Sequence, residues 1–378
     1  MIPRSLNVAF LTSARAWRGS GVSLSNIAHG LTARGHQVHM LAGESSVVEA
    51  FAQRGLLASQ VPTGDTGLRG ARALTHALRG IKADCLVVDR PRDLRIGALA
   101  SVAYPLALVN RYNLSRHTPP RDLLSRLAYL VVRLTIFVSE TSAQRALAGA
   151  RYLRRRPHQV IPEGVGPEFR PDSVAAEKFR ATYGLAGREF VLAVGSLTAD
   201  KRYGFLFDVM VRLGPAAPLL VICGAGPLAD ELQARTPALG LDVRFLGLVP
   251  PELLPGAYSA AILLVHACEI ETFGLSVLEA MACGRTVLAV DGGAVPEVLG
   301  DAGVLSAVGD PEAFSARLRE LLADPQRRAA LGTAARLRAG RFSLREMHQA
   351  YCDAIESVCS TGKPSITFKN AQTASPRL

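Results

Sequence analysis

Apolar residues recur along this chain in two rhythms: short unbroken runs, and longer stretches in which they return every three or four positions. The runs at 7–11, 38–41, 85–88, 106–109, 136–138 and 160–161 read as buried strands. Between the first two, Leu24, Ile27, Ala28 and Leu31 repeat at helical spacing. A helix is predicted over 22–33, stopped by Gly35. A loop over 12–21 containing Trp17, Gly19 and Gly21 precedes it. Strand, glycine loop, helix and strand in that order open a doubly wound sheet.

The same alternation starts again at 190–194. Strands are predicted at 219–223, 243–246, 261–265 and 286–290, with helices at 203–213, 228–235, 273–283, 313–322 and 325–340. The prolines and glycines of 162–171 (PEGVGPEFRP) break both periods and mark a linker. The expected fold class is α/β, with two tandem Rossmann-like doubly wound domains facing a central cleft. The first domain spans 1–165 and the second 166–345. A terminal helix over 346–359 is a candidate to cross back to the first domain, and 360–378 reads as a disordered tail.

A length of 378 residues suits two such cores. The apolar run at 6–11 is too short for the core of a signal peptide, and no run reaches the roughly 20 residues that span a bilayer. Cys85, Cys223, Cys268, Cys283, Cys352 and Cys359 are scattered without metal-ligand spacing, which fits a reducing cytoplasm. Charge is uneven. Residues 1–170 carry 23 Lys/Arg against 10 Asp/Glu, within a chain of net charge +11. That asymmetry gives the halves different partners: an anionic acceptor or a membrane surface for the first, or simply a solvated arginine surface. Arg154, Arg155 and Arg156 lack interleaved aromatic residues, so nucleic acid is not an expected partner. The apolar stripe over 121–134 reads first as a core-facing helix, with peripheral membrane contact as the less favoured reading.

The chemistry concentrates at 271–279 (ETFGLSVLE). Thr272, Phe273 and Gly274 open a helix whose first N–H groups have no internal partner and carry partial positive charge, which suits a diphosphate. Glu271 and Glu279, about 12 Å apart at helical rise, suit the hydroxyls of a sugar and of a ribose on either side. The plain alternative is a capped helix that buries Leu275, Leu278 and Ala282. Gly19, Ser20 and Gly21 lack the third glycine of a dinucleotide fingerprint, because position 24 is Leu24.

The phrase ETFGLSVLEAMACGRTV resembles the Glu-x7-Glu motif of the retaining glycosyltransferases of family 4, whose fold is called GT-B. Gly195-Ser196-Leu197 with Lys201, Gly224-Ala225-Gly226-Pro227, Phe245-Leu246-Gly247, and Gly292-Gly293 with Pro296-Glu297 are similar to further family elements. Arg34-Gly35-His36-Gln37-Val38 is similar to an N-terminal one.

The resemblance implies a metal-independent hexosyltransferase using a nucleoside diphosphate sugar as donor substrate, with UDP favoured, and no cofactor. The acceptor would be a natural product, a saccharide or an envelope lipid. It implies that Glu271 contacts the donor sugar, Glu279 the ribose, and the N–H groups of Gly274, Leu275 and Ser276 the diphosphate. Lys201 would neutralise the leaving phosphate. Gly19, Gly21, Ser196, Arg202, Gly224 and Phe245 complete the expected donor site. Position 196 carries serine instead of the family's arginine, with Arg202 as a substitute. The usual histidine after the fourth N-domain strand is absent, and Arg111, Asn110 or His117 could stand in for it; Arg111 is the expected catalytic residue. Glu163 stands where the family's linker has an amide. Two rivals remain: a nucleotide-sugar epimerase of similar fold and a non-catalytic nucleotide-sugar binding module.

Overall fold

The structure, a computed structural model, describes residues 4–65, 67–113 and 122–360. The first sheet contains β1 (Asn7–Thr12), β2 (Gln37–Ala42), β3 (Leu57–Gln60), β4 (Cys85–Val88), β5 (Ala107–Tyr112), β6 (Val132–Phe137) and β7 (His158–Val160). Their order is β3-β2-β1-β4-β5-β6-β7, parallel throughout. The second contains β8 (Phe190–Val194), β9 (Leu219–Cys223), β10 (Val243–Phe245), β11 (Leu263–His266), β12 (Thr286–Val290) and β13 (Val304–Ser306). Its order is β10-β9-β8-β11-β12-β13, also parallel. The architecture is two doubly wound α/β domains of the GT-B kind.

Helices cover both faces of each sheet, which is why the central strands are continuous apolar runs. Successive strand residues then feed two different cores. Val8 and Phe10 pack with Ile27, Leu31 and Met40, while Ala9 and Leu11 pack with Leu74, Leu86 and Leu108. In the second sheet Phe190 and Leu192 face Val277 and Met281, and Val191 and Ala193 face Phe207 and Phe314. Strand order reverses between β1 and β4 and again between β8 and β11. Crevices open at the carboxyl ends of the strands at such points.

The chain crosses between the sheets twice, and the two crossings run side by side. Val165 donates to Phe342 O at 2.9 Å and Leu344 N donates back to Val165 O at 3.1 Å. Gly164 is needed there, because a Cβ would sit 2.6 Å from Leu344 Cα. The helix Leu344–Ser360 then lays Met347, Tyr351, Ile355 and Val358 on the first domain. It packs against the helix Gly19–Ala33, where a Cβ on Gly30 would lie 2.4 Å from the His348 ring.

Two local expectations are corrected. The helix after β1 starts at Gly19, so Gly19, Ser20 and Gly21 form its first turn and not a loop. Gly21 is small because the Trp17 indole lies on it, 2.9 Å from an ideal Cβ. The stretch 121–134 is not one core-facing helix. Within it, Leu123–Ala128 is helical, capped by Asp122 accepting from Ser125 N at 2.9 Å, and β6 begins at Val132. β-branched Val131 and Val132 favour the strand. The buried face of the short helix is Ser125 and Ala128, while Leu123, Leu124 and Leu127 are exposed. Residues 361–378 and His117 lie outside the described residues.

Candidate active site

The site is built where β8 and β11 separate. β11 ends on His266, and the chain continues through Cys268 and Glu269 to Glu271. Two glycines after β12 set the height of this segment. A Cβ on Gly292 would lie 2.7 Å from Glu269 Cα, and one on Gly293 2.2 Å from Glu271 O. Ala294 N donates to Glu271 O at 2.9 Å. The backbone beneath Glu271 is therefore clamped before its side chain makes any contact.

That side chain meets two basic groups. Lys201, from the turn after β8, donates its Nζ to Glu271 Oε2. His266 Nε2 stands 3.4 Å from the same oxygen, longer than an ordinary hydrogen bond. Burial pushes the Glu271 carboxyl up. The Lys201 charge and the His266 contact outweigh burial and hold it well below the usual carboxylate range. Burial likewise disfavours the Lys201 ammonium, and the Glu271 charge more than restores it. The pair is ionised at neutral pH.

Gly274, at φ 101°, turns the chain into the helix Leu275–Ala282. No side chain caps this helix, so its first N–H groups remain available to a ligand. Glu279 lies about one turn further on and receives the Tyr258 hydroxyl at 2.6 Å. Burial pushes its carboxyl up to about 7, even against that bond. Across the cleft, Leu275 lies 3.9 Å from where a Cβ of Gly19 would stand, so the starts of two helices face each other. Leu275, Ser276, Gly274 and Gly19 are thus together, with Lys201, Glu271 and Glu279 beside them.

The other expected site residues divide. Arg202 adopts φ 53°, and its guanidinium pairs with Glu269 at the cleft edge. Ser196 Oγ lies 3.1 Å from Thr198 Oγ1 in the turn leading to Lys201. Gly224 shapes the cleft through backbone packing: a Cβ there would sit 1.9 Å from Gly195 O. Gly21 lies under Trp17.

Phe245 is placed elsewhere. Strand alternation turns its ring toward Phe207, 6.4 Å away, on the face of the sheet opposite the helix Leu275–Ala282. Arg111 is also placed elsewhere. Its side chain is fully buried, ion-paired with Glu163 and donating to Ser23 Oγ at 2.7 Å. Its charge is taken up inside the first domain by these partners. Asn110 is buried and donates to the Tyr129 hydroxyl at 3.1 Å.

Five hydrogen bonds among the described residues join the domains around the cleft, the fifth from Thr141 Oγ1 to Glu297 at 2.8 Å. Thr272 Oγ1 donates to Asn113 Oδ1 at 2.7 Å, and Ser139 Oγ donates to Thr272 O at 2.8 Å. Glu297 accepts from Glu140 N at 2.9 Å and Thr141 N at 2.8 Å, at the start of the helix Glu140–Gly149. A carboxylate at a helix N-terminus gains from the free N–H groups and the dipole. Asn113 and Ser139 are therefore first-domain side chains that touch the Glu-x7-Glu phrase directly.

The sequence reading missed Asn113 and His266. The available signal was position: both stand at the carboxyl end of a central strand, where ligands bind in doubly wound sheets. His266, Cys268 and Glu271, within six consecutive positions, also bring ligand atoms within 4.8 Å of one another. A cation there would have to displace the Lys201 ammonium from Glu271.

Comparison with known proteins agrees with this architecture. Residues 176–338 match the family described as Glycosyl transferases group 1. The chain is 33% identical over 190 residues to a GDP-mannose-dependent alpha-(1-6)-phosphatidylinositol monomannoside mannosyltransferase of Mycolicibacterium smegmatis, covering 47% of this chain and 50% of that protein. It is 34% identical over 266 residues to a D-inositol 3-phosphate glycosyltransferase of Segniliparus rotundus, covering 66% and 59%. The chain thus spans little more than half the length of these relatives. Among solved structures, Anabaena HepE in complex with UDP and glucose superposes with a TM-score of 0.82 at 21% identity, covering 93% of this chain and 100% of that one. The match to the glycosyl transferases group 1 thus lies in the second domain, which carries the Glu-x7-Glu phrase.

Proposed function

We propose that this protein is a retaining glycosyltransferase that moves a sugar from a nucleoside diphosphate to an acceptor hydroxyl. The observation that carries the reading is the ionised Lys201–Glu271 pair beside the uncapped start of the helix Leu275–Ala282, with Glu279 about one turn along. The diphosphate lies on the free N–H groups of Gly274, Leu275 and Ser276. Glu279 accepts from the ribose hydroxyls, and Glu271 from hydroxyls of the transferred sugar. As the glycosidic bond breaks, charge develops on the leaving diphosphate. Lys201, already positioned and charged, stabilises it without reorganisation. The diphosphate oxygen takes the acceptor proton on the same face, so the anomeric configuration is kept. Lys201, the helix N-terminus and Arg202 serve the leaving charge without a metal ion.

The acceptor lies on the first domain, whose excess of arginine suits an anionic or lipid-linked compound. The relatives named above act on inositol-containing acceptors, which supports that class. The location that fits the six unpaired cysteines is the cytoplasm.

Incubation with UDP-, GDP- and dTDP-sugars, followed by proton NMR, tests the reading. Transfer with retained configuration at the anomeric carbon is expected once an acceptor is supplied. Conversion of the donor to its epimer without acceptor would establish the rival reaction instead.

A second expected outcome concerns protons. The Glu279 carboxyl titrates at about 7 in the free protein. Ribose hydroxyls donate to the ionised form, so donor binding lowers this value. Donor binding therefore releases protons near pH 7 and tightens as pH rises through that value. Calorimetry in buffers of different ionisation enthalpy reads the release directly. Glu279→Gln removes it and weakens donor binding about tenfold, the loss of a charge-assisted hydrogen bond.

A further inference from the structure

We propose that the first domain docks on an anionic lipid bilayer through the surface formed by the helix Leu123–Ala128, the following turn, and the arginines around the helix Arg151–Arg154. The apolar part is unusual for a free surface. Leu123, Leu124, Leu127 and Leu130 are 69%, 66%, 49% and 57% exposed, and Val131 adds 37%. These side chains are neighbours on one short segment, not scattered single residues. The helix is amphipathic, with Ser125 and Ala128 facing inward, so the leucines cannot turn into the core.

The basic part adjoins it by direct contact. Arg156 donates from its guanidinium to Leu130 O at 3.3 Å. Arg126 lies over the Tyr152 ring at 5.9 Å, and Tyr152 packs on Tyr129 with ring centroids 5.5 Å apart. Arg151, Arg154 and Arg155, on the same short stretch as Tyr152, are exposed and have no acidic partner among the described residues. The nearby acid, Asp122, is occupied: it caps its own helix and pairs with Arg95 at 2.9 Å. The surface thus joins an apolar centre to an uncompensated basic flank.

That combination selects the partner. Leucines with arginines beside them fit the boundary between acyl chains and anionic headgroups, where apolar burial and headgroup attraction act together. A second copy of the chain would bring the two arginine flanks against each other. Nucleic acid would leave the leucines without a role. No helix among the described residues is long and apolar enough to cross a membrane, so the contact is one of lying on the surface. Tyr129, beneath the leucines, also receives the Asn110 hydrogen bond from the end of β5. The docking face therefore adjoins the first domain's side of the cleft.

Flotation of the full chain with vesicles tests this without donor or acceptor, and so independently of the transfer reaction. Vesicles of phosphatidylcholine alone are compared with vesicles containing phosphatidylglycerol, at low and high salt. Binding to the anionic vesicles is expected, at least tenfold tighter than to neutral ones and weakened by salt. Leu123→Ser with Leu124→Ser and Leu127→Ser lowers the partition at least tenfold. Arg151→Gln with Arg154→Gln and Arg155→Gln lowers it by about fivefold for each arginine. All six positions are exposed, so melting temperature stays unchanged. Absence of binding to anionic vesicles, equal binding to neutral ones, or equal binding by the variants would overturn the proposal. A concentration-dependent dimer abolished by the leucine substitutions, with no vesicle binding, would assign the surface to a second copy instead.

Discussion

Replacing Lys201 by alanine lowers kcat about 100- to 1000-fold, the range for removing one group that stabilises charge developing in a transition state. The loss falls on kcat more than on KM, because the full negative charge appears on the diphosphate only as the sugar departs. The same substitution changes the ground state of the site. With Lys201 gone, burial is the dominant influence on Glu271 and its carboxyl rises toward neutrality.

The sign of the stability effect follows. In the wild-type protein the Glu271 value is depressed below that of the unfolded chain. The stability it supplies is fully present above the unfolded carboxylate range near pH 4.5, and is lost as pH falls through the folded value. In Lys201→Ala that contribution is missing at neutral pH. Melting temperature measured against pH separates the two effects. The variant is less stable than wild type at pH 7, and the gap narrows on acidification below about 4. Glu271→Gln removes the carboxylate itself and lowers turnover comparably, and it leaves Lys201 as the buried group without a counter-charge. A Lys201→Ala variant with unchanged kcat would remove Lys201 from the chemistry.

Breaking the Arg111–Glu163 pair gives the largest expected change in stability. Arg111 and Glu163 are both buried, and Ser23 Oγ donates to Glu163 at 2.5 Å. Removing one partner leaves an uncompensated buried charge, which costs about 3–5 kcal/mol. Glu163→Ala and Arg111→Met should each destabilise the first domain by that amount. The double variant Arg111→Met with Glu163→Leu should recover much of it, because two apolar groups replace two charges. Trp17, the single tryptophan, lies in this domain and reports its unfolding by fluorescence. Additive single and double effects would show that the two residues do not act as a pair. The Arg111–Glu163 contact also explains two departures from the family pattern as one. The carboxylate in the linker is there because a buried arginine faces it from β5.

Much of the fold was legible because parallel strands covered on both faces leave an unmistakable apolar run. β4, with Cys85, Leu86, Val87 and Val88 all buried, is such a case. The donor side of the site was legible for a related reason. Gly274, Glu271 and Glu279 sit within one turn and one helix, so sequence spacing translates into geometry. What stayed hidden depends on distant packing. Nothing local in Arg111 shows that Glu163, 52 positions away, neutralises it inside the domain. Phe245 fits its motif, but strand alternation decides which face the ring takes. The leucines of 123–130 have the helical spacing of a buried stripe, and only the tertiary fold shows that their short helix turns them outward. Asn113 and His266 carry no motif and are recognised by the strand ends they occupy.

Binding of nucleoside diphosphates is the measurement that bears most directly on the central claim. Calorimetric titration of UDP, GDP and dTDP into the full chain should show one of them binding with one site per chain. Glu279→Ala should weaken that binding at least tenfold, while Phe245→Leu, on the far face of the sheet, should leave it within about twofold. If none of the three binds, or if Glu279→Ala binds as tightly as the wild type, the helix Leu275–Ala282 is not a nucleotide-sugar site and the account fails.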